Sequence, residues 1–185
     1  LDVWDQAFVN SASTLEAIRS RFVASWSQRA TAVAERLLGG GLSVEYRGSA
    51  AGAGGLAELV REARSRDRER GLTMVGPHRN DLVVEFRGVR AREMASRGQQ
   101  KLLVAALILG RIVDRLDRGG NGGLLLVDDP VAELDDRSVG VLVRELADLP
   151  VQMLVTAIRP EAMQGLESGG MFHVEQGVIR PARSV

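Results

Sequence analysis

Two short segments carry residues whose types and spacing can do chemistry. In Leu124-Leu125-Leu126-Val127-Asp128-Asp129-Pro130-Val131-Ala132-Glu133-Leu134-Asp135, an apolar run ends in two adjacent carboxylates, and a second acidic turn follows directly. A carboxylate where a buried strand emerges can hold Mg²⁺ while the metal bridges nucleotide phosphates. A neighbouring carboxylate that points elsewhere can orient or polarise an attacking water. In Ala95-Ser96-Arg97-Gly98-Gln99-Gln100-Lys101, a small polar turn opens a helix. Free backbone N–H groups, the helix dipole and a Ser hydroxyl make an anion site there, and Gly98 lets a phosphate approach the backbone closely. Each segment also has a plainer reading: two acids that end a strand in solvent, and Ser96 as a helix N-cap. In this order along the chain, the two read together as half of a nucleotide site.

The other half is a Gly-rich phosphate loop with a Lys after its second Gly. Lys101 is the only Lys in the 185 residues, and it follows Gln100 in the wrong context. The run Gly119-Gly120-Asn121-Gly122-Gly123 is Gly-rich but has no Lys and precedes a strand instead of a helix, so it is rejected as a phosphate loop.

The elements that must position these residues follow from hydrophobic spacing. Leu15, Ile18, Phe22, Trp26, Val33 and Leu37 suit one face of a long helix, ended by Gly39-Gly40-Gly41. Residues 42–46 alternate as a short strand, 48–55 form a flexible loop, and Leu56, Leu59, Val60 and Ala63 mark a second helix with a polar end at 64–70. Trp4 and Trp26 are expected to pack helices. From residue 72 the texture changes: 73–75 and 82–86 read as strands, with a hairpin tip at Arg87-Gly88. Residues 97–117 read as a helix apolar nearly all round, hence buried. Residues 124–128 form a continuous apolar strand, the pattern of a parallel sheet covered on both faces. A helix through Val139, Leu142, Val143 and Leu146, a buried strand at 151–156, a short helix and a hairpin over 171–179 close the chain. Alternating strands and helices argue an α/β fold over 72–185, with 1–71 as a helical N-terminal lobe or arm.

Composition narrows the classes. The chain is long enough for one sizeable domain, or one domain with a small lobe. Basic and acidic residues number 24 each, so bulk charge does not advertise nucleic acid. The absence of Cys excludes disulfides and thiolate metal sites and fits a cytoplasmic setting. No apolar run approaches the ~18 residues of a membrane span, and the N-terminus does not read as a signal peptide.

Three segments together, Gly76-Pro77-His78-Arg79-Asn80-Asp81, the turn at 95–101 and the acidic strand at 126–135, resemble the RecF family of DNA replication and repair proteins. In ABC-type ATPases at large, the turn is the signature motif and the acidic strand is Walker B; the Gly-Pro-His-Arg segment sets RecF apart from transporter domains. The opening Leu1-Asp2-Val3-Trp4-Asp5 and the closing Phe172-His173-Val174-Glu175 look like RecF too. The resemblance covers essentially the whole chain, but only the C-terminal half or so of a full RecF. It implies part of an ABC-type, P-loop-NTPase-like sheet flanked by helices. It implies ATP and Mg²⁺ as cofactors of the complete protein, with Asp128 coordinating the metal and Asp129 in place of the catalytic Glu. Ser96, Gly98 and Gln99 would reach across a dimer to a γ-phosphate held by the partner. Glu133, Leu134 and Asp135 would form the D-loop, and Thr156 falls at the switch position that often carries His. The family is a slow DNA-dependent ATPase that closes as an ATP-bound homodimer on single-stranded or gapped DNA. It supports recombinase loading with RecO and RecR. Departures are Arg97 for the first Gly of the common signature, Pro130 after the acidic pair, and Ile158-Arg159 after Thr156-Ala157. The missing phosphate loop leaves an alternative: a non-catalytic interaction or dimerisation module unable to bind ATP alone. A first residue other than Met gives truncation as the expectation.

Overall fold

The computed structural model describes residues 2–48, 55–166 and 170–182. The apolar stripe read from Leu15 onward belongs to a helix that starts much earlier, α1, Asp2–Leu38. Its buried face is Ala12, Val23, Ala30, Val33, Ala34 and Leu37, and left-handed Gly39 and Gly40 end it. Trp26 packs as expected: its indole N–H donates to the Leu107 carbonyl at 2.9 Å, and its ring stacks on Phe22. Trp4 does not, being 77% exposed.

Strand β1, Leu42–Arg47, pairs antiparallel with β2, Asp81–Phe86, from Leu42↔Phe86 to Arg47↔Asp81. The expected tip at Arg87-Gly88 turns β2 into β3, Val89–Arg90, giving the order β1-β2-β3. Between them, helix α2, Gly55–Arg70, buries Leu56, Val60 and Ala63; Leu56 and Val60 cluster with Ala12 of α1. The loop expected over 48–55 lies for the most part outside the described residues. The strand expected at 73–75 is absent, because side chains take up this backbone. Asp67 accepts from the Met74 N–H at 3.0 Å, and Arg19 of α1 donates to the Pro77 carbonyl at 2.8 Å. Gly76 has φ 140°, and a Cβ there would lie 2.6 Å from Phe8, so the segment turns against α1 instead of extending.

After a single turn of helix, α3, Ala91–Met94, comes α4, Arg97–Asp117. Its buried face is Leu102, Leu103, Ala106, Leu109, Gly110 and Asp114, packed on α1. The expectation of burial all round is corrected, since Val104 and Ile108 on the outer face stay half exposed. At Gly110 the helices meet backbone to backbone: a Cβ there would lie 2.5 Å from both the N and the Cα of Ala30. Four residues on, Asp114 is 1% exposed. A buried carboxylate needs partners. Ser25 of α1 donates to its Oδ1 at 2.6 Å and Arg118 to its Oδ2 at 3.1 Å, with Arg111 at 3.6 Å. Burial pushes the Asp114 carboxyl up, but Ser25, Arg118 and Arg111 together outweigh it and hold it below the usual carboxylate value.

The chain forms two compact units, Leu1–Arg118 and Gly119–Val185. The division expected between residues 71 and 72 runs through the first unit instead, because β1 pairs with β2 and α1 packs on α4 across it. In the second unit, β4, Leu124–Asp128, leads through α5, Asp136–Ala147, to β5, Gln152–Thr156, which pairs parallel with β4. A 3-10 turn, Pro160–Met163, and the hairpin of β6, Phe172–Glu175, and β7, Val178–Pro181, follow. The parallel pairing is as expected; cover on both faces is not found among the described residues. One row of the β4–β5 pair, Leu124, Leu126 and Leu154, is open, with Leu126 66% exposed.

Two outcomes follow from the α1–α4 seam. Gly110→Ala gains helix propensity of about 1 kcal/mol, but its methyl overlaps backbone atoms that no rotamer change can move. Overpacking of that kind costs about 1–3 kcal/mol or more. A net loss of stability is expected, read as a lower urea midpoint, and a raised midpoint would contradict the close approach. For Asp114, a lowered native pKa gives a contribution fully present above the unfolded value of about 3.9 and lost as pH falls through the native one. Urea midpoints followed down through the carboxylate range should therefore fall less steeply in Asp114→Asn than in the wild type. Parallel curves would contradict the assignment.

Candidate functional site

The register of the parallel pair sets the first half of the site. Asp128 ends β4 and Thr156 ends β5, and their Cα atoms are partners. Both therefore stand at the carboxyl edge of the strands, where open α/β sheets bind ligands. The Thr156 hydroxyl donates to Asp128 Oδ1 at 2.5 Å and accepts from the Asp129 N–H at 3.1 Å. The same N–H also reaches the Thr156 carbonyl at 3.1 Å. Asp129 itself has φ 39°, so the chain leaves the strand in the left-handed region directly after Asp128.

The acidic turn that follows is tight. The Ala132 N–H donates to the Asp129 carbonyl at 3.4 Å and the Leu134 N–H to the Val131 carbonyl at 3.2 Å. Glu133 is left-handed at φ 66°, and Val131 is buried beneath the turn. Asp135 is the N-cap of α5, accepting from the Ser138 N–H at 2.9 Å and the Ser138 hydroxyl at 3.0 Å. Those bonds, backbone first and hydroxyl second, hold its carboxyl below the ordinary range. Glu133, Leu134 and Asp135 thus join the acid pair to α5 as one ordered turn.

The donors fit a hard cation. Asp128 is exposed, and among the described residues its Oδ2 accepts no hydrogen bond. No group of three or more His, Cys, Asp or Glu side chains able to hold a metal occurs among the described residues. An exposed carboxylate with one oxygen open is a donor that Mg²⁺ could use, with phosphates and waters completing its shell.

Ser96, Gly98 and Gln99 stand together in the first unit, at the start of α4. Ser96 is the N-cap in a full capping box: its Oγ accepts from the Gln99 N–H at 3.3 Å, and the Gln99 Oε1 accepts from the Ser96 N–H at 3.0 Å. Gln100 adds a bond from its Nε2 to the Ala95 carbonyl at 2.9 Å. The plainer reading of the turn is therefore realised. It leaves the hydroxyl hydrogen of Ser96 for a further acceptor, because capping uses only a lone pair.

The segment at 76–81 proves to be an anchor. Asn80 donates through Nδ2 to Glu16 Oε1 at 2.9 Å and to the Tyr46 hydroxyl at 2.6 Å, and His78 Nε2 lies 2.8 Å from the Thr73 carbonyl. Two partners escaped sequence reasoning: Ser138 on Asp135, and the Thr156 hydroxyl on both acids. The available signal was a lone Thr closing an apolar run.

No protein-family model matches the chain. It is 35% identical over 183 residues to the DNA replication and repair protein RecF of Thioalkalivibrio sulfidiphilus, covering 97% of this chain and 51% of that protein. The RecF proteins of Xanthomonas euvesicatoria pv. vesicatoria, at 34% over 97% of this chain, and of Chromohalobacter salexigens, at 36% over 95%, are similar in the same way. The chain spans about half the length of the curated relatives it matches. Among solved structures, the recombination mediator protein RecF-ATP in the RecFOR pathway matches 99% of this chain and 50% of its own, with TM-score 0.78 at 19% identity. A structure from work on ATP-driven dimerization and DNA-stimulated activation of SMC ATPases matches 90% of this chain and 87% of its own, with TM-score 0.56 at 16% identity. These likenesses show the fold: part of an ABC-type ATPase sheet with helices and a helical N-terminal portion.

The capping box makes a stability outcome checkable. Ser96→Ala should lower stability by about 1 kcal/mol, whereas Ser96→Asn, also a strong cap, should stay close to the wild type. Urea unfolding measures both, and equal midpoints for the Ala variant and the wild type would remove the cap.

Proposed function

We propose that the chain belongs to the RecF family and carries the signature turn and the acidic strand of an ATP-hydrolysing site in a DNA replication and repair protein. The observation that supports this most is the acid pair at the carboxyl edge of β4, tied to the end of β5 by Thr156. Asp128, exposed and with an oxygen open, is the residue to hold Mg²⁺ with the nucleotide; the ion would draw charge off the transferring phosphate. Asp129 orients the attacking water and takes its proton. Ser96, Gly98 and Gln99 at the start of α4 meet the terminal phosphate of ATP bound by a partner subunit, so that hydrolysis and dimer closure depend on each other. Glu133, Leu134 and Asp135 lie at that subunit boundary. DNA, single-stranded or gapped, is the macromolecular substrate on which the dimer closes, and RecO and RecR are its partners in loading recombinase. No helix among the described residues is long and apolar enough to cross a membrane.

An alternative reading is an interaction or dimerisation module without catalysis. One experiment separates the two. In a protein of full RecF length carrying these residues, Asp128→Ala should weaken Mg²⁺-dependent ATP binding. Asp129→Asn should leave binding intact and slow hydrolysis by ~10²–10⁴-fold, the worth of a general base. Equal loss of binding in both variants refutes the separate roles, and unchanged hydrolysis in both supports the module.

A further inference from the structure

Thr156 closes β5, at the position that the resemblance to RecF makes the switch. A hydroxyl has one hydrogen to give and lone pairs to accept with. In this chain the hydrogen goes to Asp128 Oδ1 at 2.5 Å, and a lone pair takes the Asp129 N–H at 3.1 Å. No hydrogen remains to donate to a phosphate oxygen. One side chain at the end of β5 thus holds both acids where β4 ends, one by its carboxylate and the other by its backbone.

Each bond has a consequence. Asp128 is exposed, and an exposed carboxylate samples several rotamers. The bond to Oδ1 selects one orientation and leaves Oδ2 as the oxygen available to a ligand. Asp129 is left-handed at φ 39°, a conformation that is uphill for a residue with a Cβ. Its N–H is held by two acceptors, the hydroxyl and the carbonyl of the same Thr156, which offsets that strain where the strand ends. The parallel register brings the Cα atoms of Asp128 and Thr156 opposite each other, so the clamp closes without any rearrangement of the sheet.

We infer that Thr156 is a positioning residue for the acid pair: its hydroxyl orients Asp128 toward a divalent cation and secures the backbone turn at Asp129, and does not itself meet the phosphate. The inference rests on the reading that Asp128 holds such a cation. Partners of this kind, one shell out from the metal, typically change metal affinity about 10–100-fold when removed.

The test uses the 185-residue chain and Mn²⁺, whose paramagnetism broadens nearby amide signals even at weak occupancy. In ¹H–¹⁵N spectra, the Asp128 and Asp129 amides of the wild type and of Thr156→Ser should broaden selectively at the same Mn²⁺ concentration. Thr156→Val and Thr156→Ala should need about tenfold more, and Asp128→Asn should show no selective broadening. Thr156 is exposed, and the Ala variant guards against a packing defect peculiar to Val; unchanged amide shifts elsewhere confirm the fold. If Val and Ala respond as the wild type does while Asp128→Asn does not, the positioning role is refuted and the metal reading stands. Failure of Ser to behave as Thr refutes the hydroxyl's part in the same way. Absence of selective broadening in the wild type, or its persistence in Asp128→Asn, overturns the metal reading and takes the inference with it.

Discussion

The contact between Gly110 and Ala30 is the constraint on which the first unit depends. Two helices that touch through backbone atoms have a separation fixed by hard-sphere contact and not by side-chain rotamers. Along α4, residues 107, 110, 114 and 117 recur at helical spacing on one face, and each meets α1: the Leu107 carbonyl with Trp26, Gly110 with Ala30, Asp114 with Ser25, Asp117 with Arg29 at 2.9 Å. Polar and apolar contacts thus share one seam. The turn at Ser96 opens this same helix, so its place in the unit is inherited from packing more than ten residues away.

How much of this was legible depended on whether the deciding interaction was local. The helix of α1, the hairpin tip at Arg87-Gly88, and the βαβ order of the second unit follow from spacing and turn chemistry, and they are found, although Leu15 and Ile18 of the expected α1 stripe are exposed. Residues 73–75 look like a strand because Thr, Met and Val favour one. Asp67 and Arg19 then bind the backbone around them, and sequence spacing does not reveal that a side chain two elements away will do so. The apolar runs of α4 and β4 indicate surfaces suited to burial; they do not say that Val104, Leu124 or Leu126 will be covered by these residues. In the candidate site, residue types pointed to Asp128, Asp129 and Ser96. The link from Thr156 stayed hidden because it arises from the register of two strands 28 residues apart in sequence, and register is a tertiary property.

Both turns are closed by polar side chains. Ser96 and Gln99 satisfy each other's backbone N–H groups, Asp135 holds Ser138, and Thr156 holds the two acids. These bonds hold each turn in place before any ligand arrives. Rigidity of this kind lowers the ordering entropy that binding must overcome.

The left-handed backbone at Asp129 also bears on which acid can stand there. Asp and Asn enter that region with a short side chain able to bond locally, whereas β-branched residues are excluded from it and longer ones gain no such bond. The backbone therefore favours Asp over Glu before any question of chemistry arises. An Asp is one methylene shorter than a Glu, so its carboxylate reaches less far from the end of β4.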